Sequence, residues 1–269
     1  MPQERFAAQF DANRLLWDAR VPVHLATYGS VGTVRRGGLS IGPPAIDEIG
    51  PVEGKDLLHL QCHFGLDTIS LARLGARVTG VDLSPESIRA ARELAAELGV
   101  EAAFVEANVY DVPDVVPDRF DYVFTSIGVL WWLPDLLRWA QVVASMLRPG
   151  GTFYICEIHP VASSLEVREG RFVLTHDYFG SGEPLRFETD RTYTDPDVEV
   201  EPNVEYGWEH PLSEVVNSLL QAGLRIEFLN EHPFSAYRNW PELEEDESGW
   251  RLPGAPPAPL LFSLRATAP

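Results

Sequence analysis

The chain has 269 residues and a mass of 29.9 kDa, 45% of it hydrophobic, which suffices for one large α/β domain with an elaboration or for two small domains. A formal net charge of −19 and a pI near 4.7 create a field that repels nucleic acid and anionic membrane surfaces, so a small molecule is the expected partner. No apolar run approaches bilayer length, the charged start MPQERFAAQFDANRLLWDAR is unlike a secretory signal, and the two cysteines, Cys62 and Cys156, make no disulfide framework, so the expected compartment is the cytoplasm.

In chain order, the first fifty residues read as an arm with one helix around DANRLLWDARVPVHLA, whose Trp17 either packs on the following domain or closes over a ligand. From Leu57, short apolar runs alternate with helical patterns, the mark of a parallel sheet covered on both faces. LLHLQC is the first strand, LDTISLARLG a helix stopped by Gly75, and RVTGVD the second strand. Ser84 caps the next helix, Pro85 opens it and Gly99 ends it, with Ile88, Ala91, Ala95 and Leu98 on its inner face. EAAFVEA, FDYVFTS and TFYICEI are strands three to five, with the helix PDLLRWAQVVASML and the Pro149-Gly150-Gly151 turn before the fifth.

After His159 the pattern breaks for about fifty residues, a length that marks a functional cover. RFVLTHDYF and LRFETDRTY are expected to pair as an antiparallel excursion across GSGEP. The helix LSEVVNSLLQAGL and the strands RIEFLNEH and LLFSLRAT finish the sheet, separated by a long proline-rich loop whose ELEEDE run, Glu242 to Glu247, reads as solvated surface. No His or Cys pair has zinc-ligand spacing, so no metal is expected.

Ligands of open α/β sheets sit beyond the carboxyl ends of the strands, and Asp82 ends strand two, 21 residues after Gln61. That spacing suits an acidic residue on a ribose diol; the alternative is a turn aspartate beside Ser84. A dinucleotide needs a Gly-rich turn for its pyrophosphate and a second substrate domain, whereas the turn here is Gln61-Cys62-His63-Phe64-Gly65 and the remaining chain only completes one sheet.

The ordered set HLQCHFG, VTGVDLSPESIRAAR, VEANVYDVP and FDYVFTSIGVLWWLPDLLRWAQVVASMLRPGGTFYI resembles the class I S-adenosylmethionine-dependent methyltransferases, over Leu57 to Ile158 and again over Leu212 to Thr267. The resemblance implies a Rossmann-like α/β fold: a mostly parallel seven-stranded sheet with an antiparallel last strand, an N-terminal helical arm over residues 1–50, and a domain over 51–269 that carries an antiparallel cover at about 160–208. It implies S-adenosyl-L-methionine as cofactor, held by Gln61, Cys62, His63 and Gly65 of the turn, by Asp82 and Leu83, by Asn108 and Val109 at the adenine, by the Ser126 carbonyl, and by Tyr28 of the arm. Because this molecule has no phosphate, its turn can do without an anion nest if Gln61 and His63 point away or bond the methionine carboxylate.

Methyl transfer is an in-line displacement that mainly needs alignment and exclusion of water, so no catalytic triad is expected. His159, just past strand five, is the candidate base, with a plain turn histidine before Pro160 as the other reading. Trp131, Trp132, Tyr178 and Trp208 are candidate acceptor contacts, and an aromatic cover suits a small, partly apolar acceptor. The expectation is methyl transfer by a monomer or homodimer, with no nucleic-acid or membrane partner. The alternatives are a methyltransferase-like protein that binds the cofactor without transferring methyl, and a nicotinamide-dependent reductase.

Overall fold

The computed structural model describes residues 2–269. Seven strands form the central sheet: β1 (Asp56–Leu60), β2 (Arg77–Asp82), β3 (Ala103–Glu106), β4 (Phe120–Ser126), β5 (Leu147–Ile158), β6 (Arg225–His232) and β7 (Leu261–Thr267). Their spatial order is β6-β7-β5-β4-β1-β2-β3. β1 to β5 run parallel, while β7 lies antiparallel between β5 and β6. The order reverses between β1 and β4, and a crevice opens there beyond the strand ends. β1 is buried from Leu57 to Leu60 because both its faces are covered, whereas edge strand β6 is made of exposed and half-buried residues.

Six helices matter for the site: α1 (Ala7–Thr27), α2 (Gly29–Arg35), α3 (Leu66–Arg73), α4 (Pro85–Leu98), α5 (Leu136–Met146) and α6 (Leu212–Gln221). α4 has the caps its sequence announces: Ser87 N–H donates to Ser84 Oγ at 2.9 Å, and Gly99 takes φ +63°. α5 and α6 bury Trp139, Val143, Val215 and Leu219 against one sheet face. On another part of the molecule, α3 and α4 pack Ile69, Ile88 and Leu94 against Val21, Val31 and Val34 of the arm.

The cover differs from the expected pairing. RFVLTHDYF and LRFETDRTY do not pair with each other: Arg171–Leu174 pairs with Leu165–Arg168, and Leu185–Glu188 pairs with Val204–Gly207. The first hairpin closes through Glu169 and Gly170, both at positive φ (+50° and +72°), the twist that a two-residue connection needs. That turn pre-empts GSGEP, which becomes a plain connection. The proline-rich loop is likewise not featureless, since Glu244–Asp246 and Gly249–Arg251 form a short hairpin tied back by backbone bonds between Ser235 and Trp250.

Candidate functional site

A cavity of about 550 Å³ opens over the ends of β1, β2 and β4, within the roughly 300–1,000 Å³ that small-molecule sites occupy. Its wall includes Gln61, Cys62, His63, Gly65, Asp82, Leu83, Asn108, Val109, Ser126, Tyr28 and Trp132, so ten expected cofactor contacts and one expected acceptor contact share one space.

The turn after β1 solves the missing-glycine problem by conformation. Gln61, His63 and Gly65 all lie in the left-handed region, with φ of +56°, +50° and +76°. Gly65 is obligatory: a Cβ there would lie 2.7 Å from the Phe104 ring. Gln61 and His63 keep the glycine-like backbone at a cost of about 1–3 kcal/mol each, and specific bonds hold the strained turn. The Cys62 N–H donates to Val81 O at 2.9 Å, and the His63 N–H donates to Asp82 Oδ2 at 2.7 Å.

The two bulky side chains then diverge. His63 turns toward the arm, with Nδ1 2.9 Å from Ser87 Oγ and Nε2 3.0 Å from His24 Nδ1. Burial, then His24 and Arg20, hold its pKa well below the usual histidine value, so it is neutral. Burial, then Arg20, likewise lowers His24 to about 4. Gln61 donates Nε2 to Val129 O at 3.1 Å, and its Oε1 is buried with no partner. That orphaned acceptor, at the end of β1, fits the ammonium of an amino acid moiety.

Asp82 serves both readings of the sequence. Its Oδ1 accepts the Ser84 N–H at 2.9 Å while Oδ2 holds His63, so it does order its own turn. A carboxylate offers about four acceptor sites, leaving capacity for a diol from the cavity. Burial raises its pKa to about 6 against the lowering pull of these backbone donors. Asn108 Oδ1 accepts Tyr110 N–H at 3.1 Å, which aligns the loop that also carries Val109. These residues fit S-adenosyl-L-methionine: Gln61 at the amino acid end, Asp82 at the ribose, Asn108 and Val109 at the base.

The loop after β4 hangs on a residue the sequence reading missed. Glu157, 2% exposed near the end of β5, accepts the N–H groups of Gly128, Val129 (2.7 Å), Leu130 (3.2 Å) and Ile158 (2.6 Å). Trp132 Nε1 then donates to Gly128 O at 2.9 Å, and its ring meets Trp17 of α1 edge-on at 5.3 Å. Trp17 also reaches His63 at 5.0 Å, so its ring both packs on the domain and lines the cavity. Asp67 was missed as well: it accepts Ser40 Oγ at 2.5 Å and Ser126 Oγ at 2.9 Å on the cavity wall. His59, buried within β1, bonds Thr68 Oγ1 through Nδ1 at 2.8 Å and leaves Nε2 without a partner. A polar residue inside an apolar strand, as in LLHLQ and FYICEI, is the signal that could have found His59 and Glu157.

Four expected contacts lie outside the cavity wall. His159 accepts the Val161 N–H at Nδ1 (3.0 Å) and faces Glu231 at Nε2 (2.9 Å), so both ring nitrogens serve the turn and the β6 edge. This is the plain turn histidine, not a base poised over the strand ends. Trp131 packs on Phe187 of the cover, ring centroids 5.8 Å apart. Tyr178 Oη accepts the Leu212 N–H at the start of α6 (3.1 Å). Trp208, 2% exposed, packs between Phe6 and Phe10 in the core. Glu245, Asp246 and Glu247, read as solvated surface, are exposed and stand at the rim of the cavity, where the short hairpin folds back. Among the described residues no group of three or more His, Cys, Asp or Glu is arranged to hold a metal ion, and no helix is long and apolar enough to cross a membrane.

The arm and cover meet over this site. Asn13 Nδ2 donates to Tyr206 O and Asn13 Oδ1 accepts Tyr206 N–H, both at 2.8 Å, while Arg20 pairs with Glu205 at 3.0 Å, both side chains largely buried. Tyr28 and Tyr193 bring their hydroxyls to 3.1 Å.

Comparison with known proteins agrees with the fold. A family profile described as a methyltransferase domain matches residues 58–153. A ubiquinone biosynthesis O-methyltransferase of Aeromonas salmonicida is 34% identical over 113 residues, 42% of this chain and 47% of the relative. One of Methylobacterium sp. is 31% identical over 165 residues, 58% and 63% respectively, so the chain spans about half to just under two thirds of these relatives. Among solved structures, an S-adenosylmethionine-dependent methyltransferase from Mesorhizobium loti superposes with a TM-score of 0.60 at 23% identity, covering 84% of this chain and 96% of that one. The glycopeptide N-methyltransferase MtfA, complexed with S-adenosyl-L-methionine, gives 0.54 at 20% identity over 88% and 93%. These structures share the fold.

Proposed function

Because residues 58–153 match a methyltransferase-domain profile and the fold is shared with S-adenosylmethionine-dependent methyltransferases, we propose that the chain transfers a methyl group from S-adenosyl-L-methionine to a small, partly apolar molecule. The observation that carries the reading is the shared cavity at the strand ends, where Gln61 Oε1 lacks a partner and Asp82 keeps acceptor capacity. When bound there, the cofactor supplies an electrophilic methyl group on a sulfonium.

The rest of the work falls to the chain. Gln61 Oε1 and the Ser126 carbonyl receive the ammonium, Asp82 accepts from the ribose hydroxyls, and Asn108 with Val109 addresses the adenine edge. Glu157 fixes the loop that carries Trp132, and Trp17 and Trp132 narrow the path to bulk water. Residues 1–50 act as the lid and the cover at 160–208 as the opposing wall, with Tyr28 and Tyr193 where the two meet. Alignment and exclusion of water account for the rate, so no histidine base is required.

Calorimetric titration with S-adenosylmethionine and S-adenosylhomocysteine, with NADH as control, followed by labelled-methyl transfer to a metabolite panel, tests the proposal. Micromolar binding with turnover supports it. Binding without turnover on any acceptor turns the protein into a cofactor-binding module, and no binding removes the reading.

A further inference from the structure

The charge of the cavity wall is one-sided. Among the described residues that line it, Asp67, Asp82, Glu245, Asp246 and Glu247 carry carboxylates and none is lysine or arginine. Asp82 belongs to the cofactor turn, and Asp246 is engaged by Arg251 at 3.0 Å and by Ser248. Asp67 is bonded to Ser40 and Ser126 beside the amino acid end of the cofactor, which leaves Glu245 and Glu247, exposed at the rim, for the acceptor, and no lysine or arginine of the wall offsets them. An anionic acceptor would enter against this field. A cationic one is drawn in by it.

Aromatic rings line the same space. Tyr28, Trp132, Tyr193, Phe234 and Tyr237 all contribute to the wall; Tyr193 and Tyr237 lie 5.9 Å apart between centroids, and the Tyr237 hydroxyl is fixed to Ile127 O at 3.0 Å. Ring faces attract cations, most strongly where water is scarce. A buried group also waits for a donor: His59, 2% exposed on the wall, has Nε2 unpartnered. With the hydrogen on Nδ1 given to Thr68, Nε2 presents a lone pair that an N–H can fill.

Resting on the methyltransferase reading, we infer that the acceptor is an amine with an apolar body, its nitrogen drawn in as the ammonium by the carboxylates and rings and methylated on that nitrogen. The ammonium first loses one proton to water. The nitrogen lone pair then forms the new N–C bond while the donor's C–S bond breaks and leaves its electron pair on sulfur. The methylated product keeps its positive charge, so no second proton has to move and no strong base is needed beside it. The curated relatives are O-methyltransferases by name, and the acceptor side here departs from what a phenolate would require, a cation to steady it.

The test titrates three near-isosteric probes, phenethylamine, 2-phenylethanol and 3-phenylpropanoate, into protein saturated with S-adenosylhomocysteine at pH 7.5. The amine is expected to bind at least tenfold more tightly than the alcohol and the carboxylate least of all, with E245Q/E247Q reducing the amine's advantage at least threefold while the melting temperature stays put. Equal binding of the three, no binding of the amine, or preference for the anion would overturn the inference. If S-adenosylhomocysteine itself fails to bind, the methyltransferase reading falls, and the same titrations on the protein alone still decide the charge preference.

Discussion

His24 of the arm and His63 of the cofactor turn share one hydrogen across 3.0 Å, Nδ1 to Nε2, and both rings are neutral because burial lowers their pKa. His59, also lowered to about 4 by burial, adds a third buried neutral ring. Each takes up a proton more readily unfolded than folded, so the stability they contribute is intact above about pH 6.5 and is lost as pH falls toward about 4. Asp82, raised by burial to about 6, acts with the opposite sign, its contribution lost as pH rises from about 3.8 toward 6, and Glu157, also raised by burial, acts in the same direction. Comparing urea midpoints from pH 7 to pH 5 in wild type and H24Q isolates the histidine share. The variant should show a shallower acid loss, and parallel curves would mean that the shared hydrogen does not resist protonation.

Asp82→Ala should weaken S-adenosylhomocysteine binding by about 1–3 kcal/mol, since a charge-assisted hydrogen bond to the ribose goes with the carboxylate. With a folded-state pKa of about 6, the wild-type carboxylate is half protonated there, so affinity should also fall as pH drops through 6 and the fall should vanish in the variant. Calorimetry at pH 5 to 8 reads both effects. Unchanged affinity in a folded variant would leave Asp82 as a turn residue alone.

Glu157→Gln keeps the shape but replaces one acceptor oxygen with a donor facing backbone N–H groups of Gly128 to Leu130. Leaving buried donors unsatisfied costs about 1–3 kcal/mol, read as a lower urea midpoint. Trp132 hangs from the same loop, so quenching of tryptophan fluorescence by acrylamide should increase with it.

His159→Ala should leave turnover and cofactor affinity within about twofold while lowering stability by about 1–2 kcal/mol, because the ring bonds Val161 and Glu231 and does not reach the cavity. A collapse of kcat in a folded variant would return it to the chemistry.

The sheet was legible because periodicity and punctuation agree in it. FDYVFTS and RVTGVD coincide with β4 and β2, and Ser84 and Gly99 bound α4 as their side chains and backbone dictate. That the residues expected at the cofactor would share one cavity was legible too, since they sit at fixed offsets from strand ends. The acceptor half was not. Which ribbon of the cover pairs with which depends on the Glu169-Gly170 turn and on long-range bonds to α1, and no local pattern announces either. Position past β5 locates the His159 backbone but not its partners: its ring is as buried as Glu157, both 2% exposed, yet it bonds Val161 and Glu231 and lies outside the cavity wall.

The reciprocal bonds between Asn13 and Tyr206, with Arg20–Glu205 and Tyr28–Tyr193 beside them, join segments nearly two hundred residues apart in sequence. Neither segment can be exchanged alone: a cover grafted from another protein would strand Arg20 as a buried, unpaired charge, at about 3–5 kcal/mol. The two distant pieces therefore act as one unit: a change at Glu205 or Tyr193 bears on Arg20 or Tyr28, whereas Asn13 holds only the backbone of position 206 and tolerates any side chain there.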